Sequence, residues 1–135
     1  MDRSSDRILE ASGGGRDLVH SAAAAYTLAS QVEDGRLLAG GQSLTGNGLA
    51  NTLTGNAAAN RIDGAGGHDV IQSGGGADRL TGGTGQDTLT GGGGPDVFVF
   101  ATGDGRDVIT DFAARGAGHD ILDLRGLITV TSFAD

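Results

Sequence analysis

The sequence has no cysteine, no lysine, no tryptophan and only one proline, Pro95. Lack of cysteine excludes disulfides and thiolate metal sites, so any staple for a small fold must be of another kind. Aromatic residues make up 4% of the chain and hydrophobic residues 37%, too few for a thick conventional core. No apolar run is long enough for a membrane-spanning helix, so no membrane insertion is expected. Met1–Ala11 shows no cationic–apolar signal pattern, which leaves any export address unconventional. The nine cations, all arginine, are outnumbered by seventeen acids for a net charge of -8. Such a chain repels phosphate backbones, and nucleic acid is not an expected partner.

What the chain has in abundance is glycine, 27 of 135 residues, in a length that suits one domain. Glycine at this level leaves two outcomes: disorder, or a period that organises the turns. Six nine-residue units run without a gap: GNGLANTLT from Gly46, GNAAANRID from Gly55, GAGGHDVIQ from Gly64, SGGGADRLT from Ser73, GGTGQDTLT from Gly82 and GGGGPDVFV from Gly91. Position six reads Asn51, Asn60, Asp69, Asp78, Asp87, Asp96, and position eight reads Leu53, Ile62, Ile71, Leu80, Leu89, Phe98. GDGRDVI from Gly103 and GAGHDIL from Gly116 repeat the spacing after short insertions. An isolated early copy, SGGGRDLVH, begins at Ser12 and is followed by a connector without the motif.

The three residues around position eight suit a short strand with its apolar side chain inward, and the six before it suit a turn. A three-residue strand is stable only when copies stack, and two units per coil place residues eighteen apart above one another. Asp69 then lies over Asp87, and Asp78 over Asp96. Carboxylates at the strand spacing of roughly 4.8 Å repel by about 3 kcal/mol at an effective dielectric near 20. Repeated along a column, this opposes the fold unless a cation intervenes. Carboxylates with backbone carbonyls from glycine turns form an all-oxygen donor set, which suits a hard cation and favours calcium over magnesium.

Blander readings fare worse. A flexible linker does not carry an apolar residue at every ninth position, although the metal-free chain is expected to be disordered. GGTGQDT lacks the Lys-Ser/Thr of a phosphate loop. His20, His68 and His119 read as surface histidines, and no HExxH helix or activated nucleophile marks an enzyme. The outward strand residues mix Thr, Arg, Val and Gln, which speaks against the alternative of an adhesion or ligand-binding module with a flat face for polysaccharide or ice. Arg61, Arg79 and Arg106 are expected on outer faces, paired with acids. SAAAAYTLASQVEDG has helix propensity with a stop at Gly35.

These units resemble the RTX (hemolysin-type) nonapeptide G-G-x-G-x-D-x-U-x, continuously over Gly46–Val99. FATGDGRDVITDFAARGAGHDILDLRGL is similar to the end of the C-terminal domain of serralysin-type secreted proteases. There, G-D-G-x-D-x-I-x-D-F is followed by a D-x-I-D-L strand. YTLASQVEDGRLLAGG and LTGNGLANTLTGN resemble the capping strands before such rolls, so the resemblance favours strands over a helix in the connector.

The resemblance implies an all-β, right-handed parallel β-roll. Its parts would be a flexible tail over 1–11, capping strands over 12–45, the nonapeptide roll over 46–99 and a calcium-binding cap over 100–135. It further implies a monomeric, non-catalytic module of a larger protein, such as a metalloprotease. That protein would be secreted from a Gram-negative bacterium by type I machinery and fold on several calcium ions. The family's ligand pattern, carried over, gives one site from Ala65, Gly67 and Asp69 with Gly82, Thr84 and Asp87. A second comes from Gly74, Gly76 and Asp78 with Gly91, Gly93 and Asp96. A third joins Gly83, Gly85 and Asp87 to the Asp104/Asp107 turn, with Asp111 assisting. Asn51 and Asn60 depart from the pattern, and their turns are expected to be held by amide hydrogen bonds, with weak or empty sites. Asp17 and Asp120 carry the motif outside the frame and are left out of the expected ligand set.

Overall fold

The computed structural model describes residues 15–127. The expected tail over 1–11, the first glycines of the SGGGRDLVH copy and the terminal TVTSFAD lie outside the described residues. Twelve strands follow: β1 (Leu18–Ser21), β2 (Ala25–Thr27), β3 (Asp34–Leu37), β4 (Ser43–Thr45), β5 (Thr52–Thr54), β6 (Arg61–Asp63), β7 (Val70–Gln72), β8 (Arg79–Thr81), β9 (Thr88–Thr90), β10 (Val97–Ala101), β11 (Val108–Ile109) and β12 (Ile121–Gly126). Odd strands form one six-stranded sheet in the order β1-β3-β5-β7-β9-β11, and even strands form the other, β12-β10-β8-β6-β4-β2. Every pairing is parallel. The chain is thus a β-solenoid, the parallel β-roll expected from the period.

The nine-residue unit explains this geometry directly. Within the repeats the partners lie eighteen residues apart, as in Leu53↔Ile71↔Leu89 and Ile62↔Leu80↔Phe98. All six position-eight side chains are 0% exposed and form a single stripe between the sheets. Burying each is worth roughly 1.5–3 kcal/mol. The strands stop after three residues because the turn that follows, with positive φ at the second and fourth places of its aspartate copies, carries the chain across to the opposite sheet.

The connector is not a helix. Its strands β2, β3 and β4 continue the coil, with Tyr26 over Leu44 and Gly35 over Leu53. Gly35 occupies a stripe position whose space is filled by Leu28 and Leu44, so a side chain there would crowd both. Leu28 and Val32, from the turn before β3, are buried and thicken the core at this end. At the other end the turn between β11 and β12 is lengthened, and Phe112 from it packs against Phe98 with ring centroids 6.2 Å apart.

Candidate metal centre

Turns line the two edges of the roll. One edge carries the turns ending at Asn51, Asp69, Asp87 and Asp107, and the other those ending at Asn60, Asp78, Asp96 and Asp120. In the aspartate turns the second and fourth residues adopt positive φ: Ala65 and Gly67, Gly74 and Gly76, Gly83 and Gly85, Gly92 and Gly94. The aspartate side chain folds back over the first residue of its own turn. A Cβ on Gly64, Gly82 or Gly91 would collide with Oδ2 of Asp69, Asp87 or Asp96 respectively. Ser73 stands at this place in the fourth unit and donates its hydroxyl to the Gly91 carbonyl at 2.6 Å.

Each aspartate uses its two oxygens differently. Oδ1 accepts the N–H of the position-six residue one coil earlier. Asn51 donates to Asp69 at 2.7 Å, Asp69 to Asp87 at 2.8 Å and Asp87 to Asp107 at 3.0 Å. On the other edge Asn60 donates to Asp78 at 2.7 Å, Asp78 to Asp96 at 2.9 Å and Asp96 to Asp120 at 3.0 Å. Oδ2 of Asp69, Asp78, Asp87 and Asp96 is buried and has no hydrogen-bond partner. Four dehydrated, unpaired carboxylate oxygens are strongly unfavourable unless they are neutralised.

The titration behaviour follows from this burial. Desolvation pushes Asp69 up to about 7, against the opposing hydrogen bond from the Asn51 N–H, and the charge of Asp87 adds to the rise. Asp96 rises to about 6, chiefly by burial, with Asp78, Asp120 and Asp111 contributing repulsion. Burial also raises Asp78, Asp87 and Asp107. Without a counter-ion these acids resist ionisation.

The carbonyls expected as ligands lie at the same edges. Ala65 O accepts the Thr84 N–H at 3.1 Å, and Thr84 O accepts that of Gly67 at 2.9 Å. Gly74 O accepts the Gly93 N–H at 2.9 Å, and Gly93 O that of Gly76 at 2.8 Å. Each of these carbonyls keeps a second lone pair. The Gly67 carbonyl abuts Gly85, that of Ala65 abuts Gly83, and that of Gly82 abuts Gly64, so closely that a Cβ on any of those glycines would strike it. At the third expected site the Gly85 N–H donates to Asp104 O at 2.6 Å, beside the Asp87–Asp107 contact.

Carboxylate and carbonyl oxygens, without nitrogen or sulfur donors, fit calcium. Among the described residues no three His, Cys, Asp or Glu side chains converge. A cage built mainly from backbone needs no such cluster.

Asp111 lies elsewhere than expected, and Asp120 and Asp17, which the sequence left open, both have stacked neighbours. Asp111 does not assist the third site. One strand, β11, separates it from Asp107, so the chain has already crossed to the opposite edge. There Asp111 accepts the N–H groups of Gly91 at 3.0 Å and Gly92 at 2.7 Å. Asp120 is stacked beyond Asp96 despite the insertion, and its other oxygen accepts the Ala113 N–H at 2.7 Å. Asp17 also has a stacked neighbour: its N–H donates to Glu33 at 2.9 Å, sixteen residues on rather than eighteen.

The asparagine turns have the expected amide bonding, reinforced by two residues the frame did not single out, Asn47 and Asn56. Asn47 Nδ2 donates to Ala29 O and Val32 O at 2.7 Å each, and Asn56 Nδ2 to Leu38 O at 2.9 Å and Gly41 O at 2.8 Å. Asn51 and Asn60 return their side-chain oxygens to the N–H of Asn47 and Asn56 at 2.8 Å. The signal was present as G-N-x-x-x-N written twice.

Outside the edges, Asp123 is held well below the usual carboxylate range by Arg125, with Arg79 at 3.3 Å a further partner. Arg79 thus has the acidic pairing expected of it, whereas His68 accepts the Gln86 N–H at 2.8 Å at the roll surface.

No curated protein and no solved structure matches the chain. The family model of the RTX calcium-binding nonapeptide repeat (4 copies) matches residues 45–80, 64–98 and 72–109. Over 45–109, the stretch that contains every orphaned carboxylate, the chain belongs to the RTX calcium-binding repeats, and the protein is an RTX parallel β-roll that binds calcium.

Proposed function

We propose that this calcium-binding β-roll is a folding switch for a larger secreted protein, exported unfolded by type I machinery from a Gram-negative bacterium. The buried, unpartnered Oδ2 atoms of Asp69, Asp78, Asp87 and Asp96 carry the reading. At cytosolic calcium their repulsion and desolvation oppose the aspartate coils that carry them, so those coils stay unfolded and threadable. Outside, extracellular-type affinities of order 10⁻⁴–10⁻³ M suffice, and ion binding becomes folding free energy. The sites are Asp69 with Asp87, Asp78 with Asp96, and Asp87 with Asp104 and Asp107, each completed by the carbonyls of Ala65, Gly67, Gly82 and Thr84, of Gly74, Gly76, Gly91 and Gly93, or of Gly83 and Gly85. Residues 100–127 act as a calcium-stabilised cap. The roll itself is a structural module, not catalytic by itself; any catalysis belongs to the parent protein.

Far-UV circular dichroism across a calcium titration, with magnesium as control, tests this. A cooperative gain of β signal with calcium alone is expected. Full β signal in chelator would end the switch reading.

A further inference from the structure

The four orphaned oxygens are unevenly placed. All follow Asp63, and none occurs among the described residues before it. The asparagine turns differ in backbone as well: Asn47, Leu49, Asn56 and Ala58 stand where the aspartate turns have positive φ, and none of them adopts it. In their place the chain supplies amide nitrogens. The NH2 groups of Asn47 and Asn51 bind the carbonyls of Ala29, Val32 and Glu33, and those of Asn56 and Asn60 bind the carbonyls of Leu38 and Gly41. These carbonyls face the next coil at the edges where the later turns present theirs.

We infer that these four amides replace a cation in the first coils, so that residues 16–63 fold without metal and template the calcium-dependent coils. An amide NH2 carries two donors and no net charge, so it satisfies stacked carbonyls without needing a carboxylate opposite it. The block has its own core of Val19, Leu28, Val32, Leu37, Leu44, Leu53 and Ile62, all buried. Arg16 pins its first coil by two hydrogen bonds to Asp34, at 2.6 and 2.7 Å. Its last turns present what the next coil needs: the N–H of Asn51 and Asn60 to Asp69 and Asp78, and the carbonyls of Asn47 and Asn56 to the N–H of Gly66 and Gly75. The first two aspartates therefore dock onto donors already in position, and calcium completes a coil rather than nucleating one.

This inference rests on the calcium reading above, and hydrogen–deuterium exchange of the full chain in chelator separates the two. Amides of 16–63 should remain protected by ~100-fold or more over the unfolded chain, while those of 64–109 exchange freely until calcium is added. Uniform free exchange in chelator would overturn the template alone. Uniform protection would overturn both the metal boundary at Asp63 and the calcium switch. The variant Asn47→Ala/Asn56→Ala assigns the cause: its first coils should lose protection in chelator. Wild-type protection in that variant would show that the amides do not replace the ion.

Discussion

The coil built on Asn51 and the coil built on Asp69 share a register, a buried apolar residue and a first glycine, yet they solve the same stacking problem in opposite ways. In one, the position-six side chain is a neutral amide whose oxygen accepts the Asn47 N–H and whose nitrogen donates to the coil below. In the other, it is a carboxylate with one oxygen accepting the Asn51 N–H and the other buried bare. The self-satisfied turn and the one with the bare carboxylate oxygen differ at position six, at the second position, where the former has Asn47, and in the backbone of the second and fourth residues. The comparison separates what shapes the roll, the apolar stripe and the glycine turns, from the bare carboxylates on which the proposed calcium dependence rests.

The largest effect should come from Asp87, which the proposed ligand sets place in two sites on one edge and which accepts from Asp69 while donating to Asp107. Asp87→Ala should raise the calcium midpoint of the β transition by at least ~10-fold, equivalent to about 1.4 kcal/mol, and lower the ion count in calorimetry. Asp78→Ala, on the opposite edge, removes one carboxylate pairing with Asp96 and should shift the midpoint less. Equal shifts would show that Asp87 does not bridge two ions.

The next test turns one kind of coil into the other. Asn47→Gly/Asn51→Asp should gain one calcium at the first edge and lose protection of that coil in chelator. Because Asn47 Nδ2 makes two 2.7 Å hydrogen bonds, its removal should destabilise the metal-free block by about 1–3 kcal/mol. An unchanged ion count by calorimetry would mean that the amides are not what excludes the ion.

A proton can partly replace calcium, and only in the aspartate coils. Asp69 near 7 and Asp96 near 6 sit above the ordinary value of about 3.9. The metal-free roll therefore holds protons that the unfolded chain has released, so its stability is greatest below about pH 4 and falls as pH rises through 7. In chelator, protection factors across 64–109, corrected for the intrinsic pH dependence of amide exchange, should be higher at pH 5 than at pH 8. With calcium the sign reverses, since protonation competes for the same oxygen. A β signal in chelator that grows with pH would contradict the assignment.

Much of this was legible in the sequence because the nine-residue period carries both requirements of a solenoid, an inward apolar residue and a turn. The stripe, the two edges and the position-six acids follow from counting. What was not legible depended on broken counts. Asp17 and Glu33 stack at sixteen residues, so the early coils carry no visible frame. Asp111 looked adjacent to Asp107 along the chain, but four residues spent crossing a strand put it on the far edge. Asn47 and Asn56 were visible, but the sequence does not show that an amide would point down onto carbonyls of the previous coil.

The smallest effect concerns Ala65, the only described non-glycine residue at positive φ. Its φ of 73° lies in the left-handed region, which disfavours a residue with a Cβ by about 1 kcal/mol. The corresponding positions of the next three turns are Gly74, Gly83 and Gly92. Ala65→Gly should relieve that strain in the folded coil, although glycine also adds freedom to the unfolded chain. The two terms oppose, and the net gain is therefore set at under ~1 kcal/mol, read as a slightly lower calcium midpoint. The shift should appear in exchange at 64–69 and leave 46–63 untouched. Ala65 opens the first coil that needs calcium, so a strained residue there raises the calcium level at which the metal-free block can be extended. A higher midpoint in Ala65→Gly would show that unfolded-state freedom outweighs the strain at this junction.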